Sequence, residues 1–421
     1  NSKKILNQKT FASILEIKEK IDLAVIAVPL KFINAVAGDC VKAKVGSCII
    51  ISSGFAESGK EGAMLQREIA KLLKENGIPL VGPNCLGVIN PSSKLNASFA
   101  PETPKQGSIA FLSQSGALID SIIDKSLLED FGFSLMVSYG NEAGLSLNDF
   151  LRIADKDENT KVIAVYLEEI KNGQEFIKIS SEITKKKPIV VLKGGKTQIG
   201  KKAAQSHTAS LAGDEKIYSA AFKKAGVIEV DTIEDLFLAS QVLSIYSNPT
   251  AVNAGWPAQS PAGNDAGWAI LTNGGAVGVI TADWCSNFSV ELAEIPQAVF
   301  DEIGKSGKVN LSFSRSNPLD VIGDVSSEGY KVALVSLLKQ KEISGVIFCQ
   351  TLQTMTDSAR NAKIIIEAQK QFLEKPILPL FLGGKITKKG SGLLEKSNCI
   401  VCQEPRDVAF VASILSERLN F

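Results

Sequence analysis

Short runs of apolar, β-branched residues recur along this chain, each ending abruptly in small or turn-forming residues before a helical pattern begins. They include LAVIAVP (23–29), SCIIISSGF (47–55), IPLVGPNCLGVIN (78–90), GSIAFLS (107–113), KVIAVYLEEI (161–170), KPIVVLKGG (187–195), AILTNGG (269–275), GVIFCQT (345–351) and PILPLFLGG (376–384). Continuous apolar runs of this length suit strands buried on both faces, and helical stretches between them require parallel pairing through right-handed crossovers. The pattern predicts an α/β fold of three doubly wound units with mostly parallel sheets. Ligands of such sheets lie beyond the carboxyl ends of the strands. In the first unit those ends are Val28-Pro29, Ser52-Ser53-Gly54 and Gly82-Pro83-Asn84-Cys85. A nucleotide-like ligand fits there, although the usual glycine-rich phosphate turn is absent.

Breaks in the pattern give the boundaries: residues 1–104, residues 105–247, a linker at 248–267 (NPTAVNAGWPAQSPAGNDAG) and residues 268–421. A chain of 421 residues accommodates three such units. The net charge of +1 argues against nucleic acid or a membrane surface as the main partner. No apolar run reaches the roughly 18–20 residues that span a bilayer. Seven scattered cysteines suit reduced thiols in cytoplasm. Cys399 and Cys402 have CxxC spacing, but within the apolar run NCIVCQ a buried strand outweighs a metal or redox site.

The only histidine, His207, lies in QSHTASLAG (205–213), whose small and polar residues read as an exposed loop. Asp214 then caps a helical run that closes on Gly226. A lone histidine is ordinarily a surface or satisfied core residue, and two other features change that balance. The turn Ser113-Gln114-Ser115-Gly116 sets backbone N–H groups at a helix N-terminus, which favours phosphate; by itself it is equally a capping turn. Glu168, with Glu169, ends a buried strand at the ligand-side edge, where a solvated edge is the plainer alternative. Together the three suit phosphoryl transfer through a phosphohistidine, with a carboxylate accepting from the other ring N–H and fixing the tautomer. A metal site would need more ligands than one histidine. A serine hydrolase would need a GxSxG elbow, and none is found.

VGPNCLGVIN (81–90), GSIAFLSQSGAL (107–118), VSYGNEA (137–143), KPIVVLKGG (187–195), SHTASLAG (206–213) and SNPLDVIGD (316–324) together resemble the ADP-forming acyl-CoA synthetases, in order, from about Phe11 to the C-terminus. Within them, acetate–CoA ligase alpha subunits are the nearest; the succinyl-CoA synthetase alpha subunit resembles only the first two units. The resemblance implies three Rossmann/flavodoxin-like domains: a Rossmann-like CoA-binding first unit, a flavodoxin-like second unit carrying the phosphohistidine, and a further ligase-type α/β domain. It implies an ATP-grasp partner, as a beta subunit in an α2β2 assembly or a fused domain, which holds Mg and ADP or ATP. Acyl-CoA and phosphate would give acyl phosphate and CoA, and His207 would carry the phosphoryl group to the partner. Glu168 matches the carboxylate that steadies the histidine, and Ser113, Gln114, Ser115 and Gly116 match the phosphate turn. Val28, Pro29, Ser52, Gly54, Asn84 and Cys85 match positions lining the CoA site.

Three departures accompany the resemblance. The family's opening strand, glycine turn and helix do not precede residue 1, so a truncated N-terminus is expected. Ala209 stands where the family pattern has glycine. The 248–267 stretch replaces a shorter, lysine-containing link. Two rival readings are an acyl-CoA-sensing regulatory module, as in acetyltransferase fusions, and a succinyl-CoA synthetase-like ligase.

Overall fold

A computed structural model describes residues 4–129, 131–208, 214–246 and 266–419, without the side chains of 204–208 and 418–419. Most of the expected linker therefore lies outside the described residues. The chain divides into two compact units, 1–244 and 245–421.

The first unit opens on a small antiparallel pair, β1 (Lys4–Ile5) and β2 (Gln8–Lys9). There follow β3 (Ala24–Ile26), α1 (Ile33–Lys42), β4 (Cys48–Ile50), α2 (Lys60–Glu75) and β5 (Leu80–Val81). These three strands pair in parallel in the order β3-β4-β5. Ile33, Ile50, Phe55 and Leu73 pack the helices onto the sheet, each removed from water; burying a side chain of this size stabilises by about 1.5–3 kcal/mol.

The run 78–90, expected as one strand, is two. Positive φ at Gly82 (90°) and Asn84 (56°), on either side of Pro83, turns the chain. It therefore leaves the first sheet after β5 and enters a second as β6 (Gly87–Asn90), followed by β7 (Leu95–Ser98).

That second sheet continues with β8 (Gln106–Ser113), α3 (Gly116–Glu129), β9 (Phe133–Ser138), α4 (Leu147–Lys156), β10 (Val162–Leu167), α5 (Gly173–Ile183), β11 (Ile189–Lys193), α6 (Gln198–Thr208), α7 (Glu215–Lys224), β12 (Ile228–Val230) and α8 (Ile233–Tyr246). Its order is β12-β11-β10-β8-β9-β6-β7, with β6 antiparallel to both neighbours. Counted from β8, the parallel strands run 2-1-3-4-5, the flavodoxin-like arrangement whose direction of winding reverses between β8 and β10. Ser146 begins α4 with a capping box completed by Asp149. Asp214 caps α7 by accepting from the Lys216 N–H, and Gly226 follows the helix at φ 67°.

The sequence reading of 205–208 as loop is corrected, because these residues complete α6. Thr197 caps that helix through its side chain and carbonyl, which accept from Gly200 and Lys201. The Lys, Ala and Gln residues that follow are strong helix formers, enough to carry the helix through the polar residues beyond them. Residues 209–213, including Ala209, lie outside the described residues.

The second unit contains β13 (Gly267–Thr272), α9 (Gly275–Asn287), α10 (Gln297–Ser306), β14 (Leu319–Asp320), α11 (Ser327–Leu338), β15 (Ile343–Gln350), α12 (Ser358–Gln371), β16 (Ile377–Phe381), α13 (Lys388–Glu395) and α14 (Pro405–Leu419). Its parallel sheet has the order β14-β13-β15-β16. The Asn273 side chain joins the ends of β13 and β15 by accepting from the N–H and hydroxyl of Thr351 at 2.8 and 2.9 Å. The expected strand NCIVCQ reduces to one bridge between Cys402 and Leu380. Asn398 enters at φ 57° and Pro405 already opens α14, so too few extended residues remain for a ladder. No helix among the described residues is long and apolar enough to cross a membrane.

Candidate active site

The carboxyl ends of β8 and β10 lie side by side, since Ser113 pairs with Tyr166. After β8 the chain turns at once into α3. Ser113 is buried; its hydroxyl donates to the Ser115 carbonyl at 2.8 Å and accepts from the Ser115 N–H at 3.0 Å, closing the turn. The Ser115 hydroxyl accepts from Leu118 N–H, a helix N-cap. The other first-turn amides of α3 have no intrahelical partner, and helix ends of this kind suit an anion. A side chain at Gly116 would press on Leu86, whose Cβ lies 3.2 Å from the Cβ position.

Gln114 connects the turn to the neighbouring strand. Its N–H donates to the Tyr166 carbonyl at 3.2 Å, and its side-chain oxygen accepts from the N–H groups of both Glu168 and Glu169. The expected phosphate turn and carboxylate are thus held together by one amide side chain.

Glu168 Oε1 accepts from the Tyr166 hydroxyl at 3.3 Å. Its Oε2 is buried and has no hydrogen-bond partner among the described residues. Burial first, then the Glu168 charge, pushes the Tyr166 hydroxyl up to about 12, so it remains a protonated donor.

Lys193 ends β11 in the same way that Glu168 follows β10. It is only 5% exposed, donates to the Gly194 carbonyl and sits 4.8 Å from the centre of the Tyr218 ring on α7. Burial lowers its ammonium from the usual range, and the nearby Glu168 charge opposes that shift. Sequence reasoning missed this lysine, although a single charge closing an apolar strand was the signal that marked Glu168.

The backbone of His207 lies near the end of α6, which packs against the short turn Ala56–Ser58. Its side chain lies outside the described residues, so the structure brings together Ser113–Gly116 and Glu168 and describes no contact of the imidazole.

The six residues expected to line the CoA site gather at the carboxyl ends of β3, β4 and β5. The Ser52 hydroxyl donates to the Val28 carbonyl at 2.6 Å, joining two strand ends, and Pro29 beside Val28 is exposed. Gly54 N–H donates to Glu57 Oε1 at 2.6 Å. The Asn84 N–H donates to the Ser52 carbonyl, and its side chain donates to Asn141 Oδ1 at 3.2 Å. Cys85 differs from these: its thiol is buried beneath the strand ends, donates to the Ile50 carbonyl and is pushed up to about 12 by burial. Glu57 and Asn141, which hold Gly54 and Asn84, were not identified from sequence because Asn141 meets Glu57 and Asn84 only across 84 and 57 residues of chain.

Comparison with known proteins accords with this arrangement. Residues 1–91 match a family model described as CoA binding domain, and residues 106–243 match one described as succinyl-CoA ligase like flavodoxin domain. Among curated proteins, the chain is 36% identical to the acetate–CoA ligase (ADP-forming) II subunit alpha of Pyrococcus furiosus, covering 97% of this chain and 86% of that protein. It is 37% identical to the acetate–CoA ligase (ADP-forming) I of Archaeoglobus fulgidus across 94% of its own length, yet spans only 54% of that relative. A solved structure of the dinucleotide forming acetyl-coenzyme A synthetase 1 of Candidatus Korarchaeum cryptofilum, in complex with phosphate and ADP, superposes with a TM-score of 0.88 at 31% identity, covering 99% of this chain and 87% of that one. With a likeness that extends over nearly all of an alpha subunit, and a CoA-binding and a ligase-type flavodoxin segment in that order, the chain belongs to the ADP-forming acyl-CoA synthetases, a family of ligases, alongside its acetate–CoA ligase alpha subunits.

Proposed function

We propose that this chain is the CoA-binding and phosphoryl-carrying part of an ADP-forming acid–CoA ligase, that acetyl-CoA is its thioester, and that His207 is the carrier. In this reading residues 1–104 hold CoA at the ends of β3, β4 and β5, residues 105–247 form the phosphoryl site, 248–267 is the link and 268–421 a further ligase-like domain. An ATP-grasp partner, as a beta subunit in an α2β2 assembly or as a fused domain, supplies Mg and the ADP site in the cytoplasm.

The observation that carries the proposal is the Glu168 carboxylate, whose buried Oε2 has no donor among the described residues beside the phosphate-type turn. A buried carboxylate oxygen without a donor is costly, and an imidazole N–H would satisfy it. Phosphate oxygen attacks the thioester carbonyl, the C–S bond breaks, and the thiolate takes up a proton. The other ring nitrogen of His207 then attacks phosphorus, and acetate leaves with the P–O bonding pair. An oxygen of the ADP β-phosphate finally displaces the imidazole. Amides at the start of α3 would neutralise the phosphoryl oxygens throughout, and Glu168 would stabilise the imidazole that bears the growing positive charge.

Labelled phosphate with acetyl-CoA tests this. The chain is expected to take up acid-labile, base-stable label, to lose it entirely in His207→Asn, and to label at least about 100-fold more slowly in Glu168→Gln. No label on folded wild-type chain would overturn the assignment and would favour an acyl-CoA sensor instead.

A further inference from the structure

The segment VSYGNEA (137–143) has no role in the chemistry above, yet it runs from the phosphate-type turn to the ends of the first sheet. Tyr139 N–H donates to the Ser113 carbonyl at 3.1 Å, and Asn141 N–H donates to the Pro83 carbonyl at 2.9 Å. Gly140 makes this approach possible: it has φ 51°, and a Cβ there would lie 2.3 Å from the Asn84 carbonyl oxygen.

The Asn141 side chain uses both polar ends. Its amide nitrogen donates to Glu57 Oε2 and, at 2.9 Å, to Gln66 Oε1, while its oxygen accepts from Asn84 Nδ2. Glu57 Oε1 in turn accepts from the N–H groups of Gly54 at 2.6 Å and Phe55 at 3.1 Å. From the opposite side, Lys171 Nζ donates to the carbonyls of Asn141 and Glu142 at 2.7 and 2.9 Å. Lys171 lies three residues after Glu168. Polar contacts therefore run from Lys171, on the loop that follows Glu168, through Asn141 and Glu57 to the Gly54 strand end.

We propose that Asn141 is a positioning residue for CoA, holding the Gly54 loop through Glu57 and the Asn84 turn directly, in register with the phosphoryl site. The inference rests on the reading that CoA occupies the ends of β3, β4 and β5. An amide is needed here because its nitrogen donates to the Glu57 carboxylate and to the Gln66 side-chain oxygen while its oxygen accepts from Asn84. Aspartate would face Glu57 with like charge and remove the donor.

The test measures CoA binding by calorimetry and His207 labelling from ATP, using the full chain with its ATP-grasp partner. Asn141→Asp is expected to raise the Kd for CoA at least about 10-fold, the loss of a hydrogen bond to a charged group, with His207 labelling unchanged. Combining it with Glu57→Gln restores one of the two lost contacts: the new amide can donate to the new carboxylate while its oxygen still accepts from Gly54 and Phe55, and the Gln66 contact stays unmet. The double variant should bind CoA at least about 3-fold more tightly than Asn141→Asp alone. If Asn141→Asp binds CoA as wild type does, or if the two substitutions are merely additive, the inference falls. A parallel fall in labelling and affinity would reduce Asn141 to a general structural role and overturn it too. A wild-type chain that binds no CoA removes the underlying reading itself.

Discussion

Glu168 and Glu57 are carboxylates in contrasting situations. One Glu168 oxygen has the Tyr166 hydroxyl and the other has no donor among the described residues, so it has room to accept a further N–H. Glu57 is already fully engaged. Burial alone would raise its pKa, but the Asn141 amide and the N–H groups of Gly54, its own residue and Phe55 together bring it below the ordinary 4.5. A folded-state pKa below the unfolded one means that Glu57 contributes stability above pH 4.5 and loses that contribution as pH falls through its lower folded value. Urea unfolding of wild type and Glu57→Gln at a series of pH values checks this. The wild-type advantage should be present at neutral pH and shrink as the pH falls below 4.5; an advantage that is constant or grows in acid would contradict it.

Elements at the sheet edges decide which of these residues meet. Glu168 and the Ser113 turn were legible in sequence because parallel strands all end at one edge, and a charged or small residue closing an apolar run must emerge there. Asn141 and Lys193 were not. Asn141 acts through the docking of one turn on another, and Lys193 gains its meaning from Tyr218 on a later helix. Cys85 follows a strand end in sequence, but the turn at Asn84 directs its thiol inward. The α6 helix was misread because small polar residues suggested a loop, whereas the Thr197 cap and the helix formers after it outweighed them. The turn geometry also gives a prediction: Gly140→Ala should destabilise the chain by about 1–3 kcal/mol, because its Cβ would collide with the Asn84 carbonyl in a left-handed conformation. Equilibrium denaturation measures this, and an unchanged midpoint would show that the turn relaxes freely.

Among the described residues, two parallel sheets and one mostly parallel sheet each present a carboxyl edge, and in the second sheet the reversal between β8 and β10 coincides with the candidate site. The alternation of apolar strands and helices conveyed this architecture, because each parallel strand needs a helix to cross back. It did not reveal that β6 and β7 leave the first sheet for the second, a transfer determined by two positive-φ residues around Pro83. The central claim is that a phosphoryl group passes through His207 on its way between acid and nucleotide. The most direct measurement is a chase: label the chain through its ATP-grasp partner, remove nucleotide, then add acetate and CoA. Label should leave His207 as inorganic phosphate no slower than kcat, with one acetyl-CoA formed for each phosphoryl group lost. Label that stays on the chain while acetyl-CoA accumulates would contradict the account.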